Sequence, residues 1–496
     1  MEQMLFFNLQ YLIGFFFLLV FTPKLPRWVI FSCAMPFGII LFTFWEIIFY
    51  HITLFSKNYQ VYSLQISLLI LIVIYGIIKK KLNISIKIID LAQFLLILSV
   101  FSLTIFFTSN FNFSNATNDS YGQIVSGKYL AHSGLLWSSR QTFLSSSGIF
   151  LPIILSNELF LNVSYFQTLS PVIAVSLLFC YSSLTYNFLR EITNKKNAIF
   201  SVILSTILLF RPYIISYYST YLHVNLMVSL FLFIGTVTSF LYARTKEHQW
   251  LFLSFLAFVA SALSRVEGPF YSLIFIMLLS INPKIRYKIR LKFTISYVVI
   301  ITLWYLNIAR LIGDYSYILN SSRIFAIIGI HILWIIVMML LEKLKIPSSI
   351  KNNLDRYMLF VFLLTLVFAF LIKPEHMLTS AEHFFTNLYR QGNWSMAWVL
   401  ITILLVFSIQ LKLPSDYRRL ITGIICCICF ILLLSFLRSS YRLDWTDSGN
   451  RMMVHLYPLV IFCITIIYNY FNQQTSKKLN SGVFDTRDNK YKHNIF

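Results

Sequence analysis

Apolar runs long enough to cross a lipid bilayer recur along this chain from its first residues to about Tyr470, and the stretches between them are too small for a separate soluble core. A crossing helix needs about 20 predominantly apolar residues. By that measure spans fall near 5–21, 28–50, 60–78, 88–108, 169–189, 198–211, 221–243, 250–264, 269–282, 293–312, 324–341, 357–373, 395–411, 419–437 and 453–471. The pieces at 250–264 and 269–282 are short and read as half-inserted or tilted toward each other. The expected fold is therefore all-α, a polytopic integral membrane protein with about 13–15 transmembrane helices. Composition agrees: 12% of residues are charged, against roughly 25% in a soluble domain. The first apolar run has no basic region before it and reads as a retained helix rather than a cleaved signal.

The net charge of +22 suggests nucleic acid until the charges are placed on this topology. Lys and Arg accumulate in short loops on the cytoplasmic side. Alternating the loops from an outside N-terminus puts 28 of the 40 Lys and Arg inside, against 8 of the 18 acids. The inside set holds Lys79, Lys80 and Lys81, the run from Lys284 to Lys292, and Lys412 with Arg418 and Arg419. The excess is thus a topology signal and an attraction to anionic lipid headgroups, and no nucleic-acid partner is expected. The expected location is a plasma membrane, with the N-terminus outside and the C-terminus cytoplasmic.

Three regions follow: a four-helix membrane segment at 1–108, a membrane region at 109–472 opening with a large outer loop at 109–168, and a disordered cytoplasmic tail at 473–496. In the outer loop Tyr121, Ile124, Val125, Tyr129 and Leu130 approximate one face of an amphipathic helix at the membrane surface. Asp119 stands at its start, placed to cap it or to face a cavity. The later outer segment from Lys373 to Trp394 reads as an interfacial helix anchored by Trp394 and Trp398. The six cysteines all fall in apolar runs, where Cys behaves as a small hydrophobe, and no spacing supports a metal site.

The segment NDSYGQIVSGKYLAHSG resembles the first extracytoplasmic loop of GT-C-type membrane glycosyltransferases, the superfamily of dolichyl-phosphate-mannose mannosyltransferases and aminoarabinose transferases. Three further segments resemble that family's later motifs in order and side. They are FRPYIISYYSTYLHVNLMVSLFLFIG, ASALSRVEGPFYSLIFIMLLS and NRMMVHLYPLVIFCI. The resemblance covers the chain from about Asp119 to Pro458, and the first helices have no counterpart in it. It implies transfer of a sugar from a polyprenyl-phosphate carrier to a glycan, lipid or protein acceptor at the outer face. It implies Asp119 as the catalytic base, because an acceptor hydroxyl is a poor nucleophile unless its proton is removed. Arg265, Arg451 and Arg211, at outer helix ends, are implied to bind the carrier phosphate through bidentate guanidinium contacts. Tyr121, Lys128, His223 and Asn225 complete the implied substrate site, with Glu267 placed to pair with Arg265.

The chain departs from the family pattern at two places. Members often carry two carboxylates at the first motif, where this chain has Asn118 and Asp119, and an acid in the second outer turn, near its Asn225. No cofactor is therefore expected, and a divalent cation stays the open alternative. Two other functions fit a chain of this composition: a polysaccharide polymerase of O-antigen type, and a lipid or glycan flippase or transporter. The polymerases place their large outer loop late rather than after the fourth span. Transporters commonly show two related halves, and no internal repeat is visible here.

Overall fold

The computed structural model describes residues 2–52, 59–81, 87–110, 122–128, 148–160, 166–312, 321–344, 348–409 and 413–491. Among them every regular element is helical and none is a strand. That follows from the solvent: in hydrocarbon each backbone N–H and C=O must be satisfied within the segment. All fifteen apolar runs are helices, but they are not equal. Eleven are long and apolar enough to cross a membrane alone. A twelfth span is a broken one, Lys195–Phe210 joined to Tyr213–Thr220 at 75°. His248–Ser264, Gly268–Ser280 and Ala397–Ile409 are shorter. The chain is a multi-pass membrane protein.

Burial sorts the helices into a centre and a rim. Asn225–Thr245 is buried along its whole apolar window, and the Ser448–Tyr491 helix nearly so over its membrane part. These two pack on each other, on Phe166–Arg190 and on Gly268–Ser280. By contrast only 17% of the windows in Ile88–Ser109 and Leu354–Ile372 is buried. Their exposed Leu, Ile and Phe side chains suit lipid rather than water. Near the N-terminus, Gly14 and Gly38 let Glu2–Phe21 and Arg27–Ile52 cross backbone on backbone. A Cβ at either glycine would stand 1.8 Å from the partner's carbonyl oxygen. Such small-residue contacts are how helices associate where burial of apolar surface gives little drive.

The turns at the two ends of the bundle are chained together. At one end Lys24 meets Gln249, Lys81 lies over Phe21 and Arg244 over Tyr417, and Lys284 pairs with Asp416 and Arg418 with Asp355. At the other, Gln3 meets Thr168, Ser170 meets Tyr221, Ile149 meets Leu263, and Arg265 meets Asn225. The first end carries the basic loops and the second the large loop, the alternation expected from the charge pattern.

Local detail goes beyond the sequence reading. The large loop also contains a helix, Phe150–Phe160, that the sequence reading did not identify, with Ile149, Phe150, Leu151, Ile153 and Ile154 buried. Gly148, at φ +69°, brings the chain so close to Ser264 that any side chain would clash. In the short helix at 122–128 Gln123, Ser126 and Gly127 are buried, with Gly127 close to Pro152 and Leu155, while Val125 and Lys128 are exposed. Pro374–Thr386 is a strongly amphipathic helix, as expected. Trp394 and Trp398 do not anchor it at an interface, however, since both are buried against Tyr457. The last helix is Ser448–Tyr491.

Candidate functional site

The site is built around a three-residue turn. Arg265 ends His248–Ser264 in an extended conformation, and Glu267 precedes Gly268–Ser280, whose Pro269 suits a first helical turn because its missing N–H is not needed there. The Glu267 carboxylate does not cap its helix. It accepts from Arg265 Nε at 2.8 Å and from Arg438 Nη1 at 3.3 Å, at 2% exposure. Burial alone would raise this carboxyl, but the Arg265 and Arg438 guanidiniums outweigh it and hold the group down at about 2.

Arg265 also donates through Nη1 to Asn225 Oδ1 at 2.5 Å. His455 Nε2 stands 3.1 Å from the same oxygen. An oxygen between two nitrogens is the acceptor for both, so Nε2 carries the proton of a neutral His455 and Nδ1 is bare. The Asn225 amide nitrogen then points elsewhere. Asn225 Nδ2, His455 Nδ1 and the Tyr271 hydroxyl are all buried, with no hydrogen-bond partner among the described residues. Tyr271 lies edge-on to His455, ring centres 5.5 Å apart. Buried polar groups are nearly always satisfied, so these three are where water or a bound polar group would complete the contacts.

Arg451 completes the cluster. It lies one turn before His455 on the same helix face, and His455 is within electrostatic reach of Arg265, Glu267, His223 and Arg451. Asp447 is occupied elsewhere: its oxygens accept from the Gly449 and Arg442 amides and so cap the last helix. His223 Nδ1 accepts from the Asn225 backbone N–H, with the nitrogens 3.3 Å apart.

Five residues picked from the sequence therefore meet: His223, Asn225, Arg265, Glu267 and Arg451. Arg211 stands apart, exposed among the lining residues of a lateral groove between Lys195–Phe210, Ala397–Ile409 and the last helix. Leu208, Trp394, Ile401, Tyr457 and Ile461 are among its walls. Trp394 donates to Asn450 Oδ1 at 2.5 Å, which puts the groove wall next to Arg451 in the chain. Lys128 is exposed on its short helix. Asp119 and Tyr121 lie outside the described residues. Sequence reasoning missed Arg438 and His455. Arg438 looked like any interfacial arginine, and His455 was visible only as a polar group inside an apolar run. It also missed Glu46, a buried membrane-depth carboxylate beside Asn157 on the Phe150–Phe160 helix. No three His, Cys, Asp or Glu side chains among the described residues stand close enough to hold a metal ion.

Comparison with family models, with characterised proteins and with solved structures returns no match to this chain.

Proposed function

We propose that this protein is a membrane glycosyltransferase that moves a sugar from a polyprenyl-phosphate carrier to an acceptor at the outer face of the plasma membrane. One observation carries the reading. Arg265 and Arg438 hold the buried Glu267 carboxylate, and Arg451 stands within electrostatic reach of His455, beside three buried polar atoms with no partner among the described residues, where the two most buried helices begin. Two guanidiniums on one carboxylate, with the Arg451 guanidinium near His455, bring cationic hydrogen-bond donors together in one cluster, the chemistry that binds a lipid-linked phosphate. The apolar groove beside it, with Arg211 among its lining residues, has the character a hydrocarbon tail needs.

The step is a substitution at the anomeric carbon. The acceptor oxygen forms the new C–O bond while Asp119 takes its proton. The bond from that carbon to the phosphate oxygen breaks, and its electron pair leaves on the carrier phosphate. The arginines stabilise the phosphate as its charge grows, and preorganised cations of this kind are worth more in a water-poor site than in bulk. Asn225 positions Arg265 by accepting a hydrogen bond from its Nη1 at Oδ1. In this reading the large-loop end faces outward.

The test is transfer of radiolabelled sugar from purified polyprenyl-phosphate-sugar in proteoliposomes. Transfer by wild type, and loss of at least tenfold in donor use by Arg451→Ala at matched protein level, supports the proposal. Wild-type protein that moves no sugar from any polyprenyl-phosphate donor tested refutes it.

A further inference from the structure

The Tyr213–Thr220 helix turns 75° from the span before it, so it lies across the bundle at the large-loop end. Its two sides differ. Ile214, Ile215 and Tyr218 are buried, and Tyr218 meets the His223 ring at 5.1 Å. The opposite side carries Tyr213 and Tyr217, with Tyr221 four residues further on at the helix end. Tyr217 stacks on Tyr221 with ring centres 4.0 Å apart and an interplanar angle of 21°. Trp445, from the distant 438–447 segment, stands edge-on to Tyr217 at 4.7 Å and 6.4 Å from Tyr213. Four rings thus form one wall. None is fully buried, and Tyr213 is 56% exposed.

Charged residues lie close to Trp445 in the chain. Asp444 accepts from the Thr446 hydroxyl at 2.5 Å and amide at 3.0 Å, contacts that hold its carboxyl below the usual range. Arg442 is exposed beside it in the chain. The wall is also tied to the arginine cluster. Asn450, the neighbour of Arg451, donates to the Trp445 carbonyl at 2.7 Å.

Aromatic residues at a bilayer surface commonly form a belt toward lipid, and a belt would present its rings outward singly. Here the rings pack on one another, and Trp445 follows Asp444 and Arg442 in the chain. Hydrocarbon gains nothing from those charges, and a polyanion would be repelled by Asp444. A pyranose matches both features, because it offers an apolar C–H face to a ring and a rim of hydroxyls that donate to carboxylate and accept from guanidinium.

We propose that Tyr213, Tyr217, Tyr221 and Trp445, with Asp444 and Arg442, form a saccharide-binding wall that receives a glycan acceptor. The word acceptor rests on the transferase reading, whereas the binding itself does not. Full-length protein in nanodiscs would be probed by saturation-transfer NMR with gluco-, galacto-, manno- and N-acetylglucosamine tetrasaccharides. Wild type is expected to saturate at least one. Trp445→Ala should weaken that binding about tenfold, and Trp445→Phe, which keeps a ring, should retain most of it. Saturation of none, or equal binding by Trp445→Ala, overturns the wall. So does quenching of the Trp445 share of the emission (wild type minus Trp445→Phe) by lipids brominated in their acyl chains, which would make it a lipid belt. Kinetics separate the two claims. If wild type transfers sugar and Trp445→Ala leaves the acceptor KM unchanged, the wall falls and the transferase reading stands. If wild type transfers nothing yet binds saccharide through Trp445, the wall stands and the transferase reading falls.

Discussion

The two ends of this bundle use the same charged residues to different effect. At the basic end Arg418, Lys284, Arg419 and Lys246 tie helices and turns together. Arg418 grips Asp355 with two nitrogens at 2.7 and 3.0 Å and donates again to the Asn352 carbonyl. Asp416 is shared by Lys284 and Arg419, and Lys246 donates to the Ala243 and Lys284 carbonyls. Cations on the last carbonyls of helices complete groups that would otherwise lack partners. At the large-loop end Glu267 is equally well paired, but Asn225, His455 and Tyr271 beside it keep unused polar atoms. A buried ion pair alone therefore says little about function. Orphan neutral groups beside an ion pair are the better mark of a binding place.

The sharpest way to break the comparison is to ask which end faces out, because the outcome is all-or-none. A Cys placed at Lys128 should react with an impermeant maleimide on intact cells, and one at Lys351 only after permeabilisation. The reverse pattern removes the outer-face reading altogether. Next in size is Asp119→Asn, which should lower transfer by about 10²–10⁴ without lowering membrane protein level. Asparagine caps a helix about as well as aspartate, so retained transfer would leave Asp119 a cap. Arg265→Ala and Arg451→Ala should each weaken donor use about ten- to a hundredfold. Lysine at either place should recover only part, since the two-pronged contact is lost.

The basic end should answer differently. Asp355→Ala leaves Arg418 facing a buried gap, and breaking a buried pair costs about 3–5 kcal/mol. Arg418 is 26% exposed, so the expected loss is smaller, about 1–3 kcal/mol. It should appear as a lower melting temperature in detergent, with the turnover of surviving protein unchanged. A fall in turnover greater than the fall in folded protein would erase the distinction between the ends. The smallest effect concerns acid. The Glu267 carboxyl sits near 2 when folded against about 4.3 unfolded. A depressed carboxyl contributes stability that is complete above its unfolded value and fades as pH falls toward the folded one. Stability attributable to Glu267 should therefore be flat from pH 8 to about 5 and decline between about 4 and 2. Glu267→Gln should flatten that acid limb while lowering the plateau.

Hydropathy and charge alone determined the helical class, the fifteen apolar helices and their alternation between a basic end and a loop-rich end. The reason is that the bilayer acts on each segment locally: twenty apolar residues make a helix whatever their neighbours do. The motif order also placed His223, Asn225, Arg265, Glu267 and Arg451 at helix ends on one side, and the fold brings them together. Only the tertiary structure decided which helices form the centre, because every span is apolar and hydropathy does not separate lipid from protein neighbours. It also decided that Arg438 completes the Glu267 pair across 171 residues and that His455 meets Asn225 across 230. The Phe150–Phe160 helix returns to the core, and Trp394 turns inward to Asn450, for the same reason. Each of these depends on shape fitting between segments far apart in sequence, on small residues such as Gly14, Gly38 and Gly148 allowing close approach, and on polar atoms finding partners other than water. No periodicity within one segment records such a match.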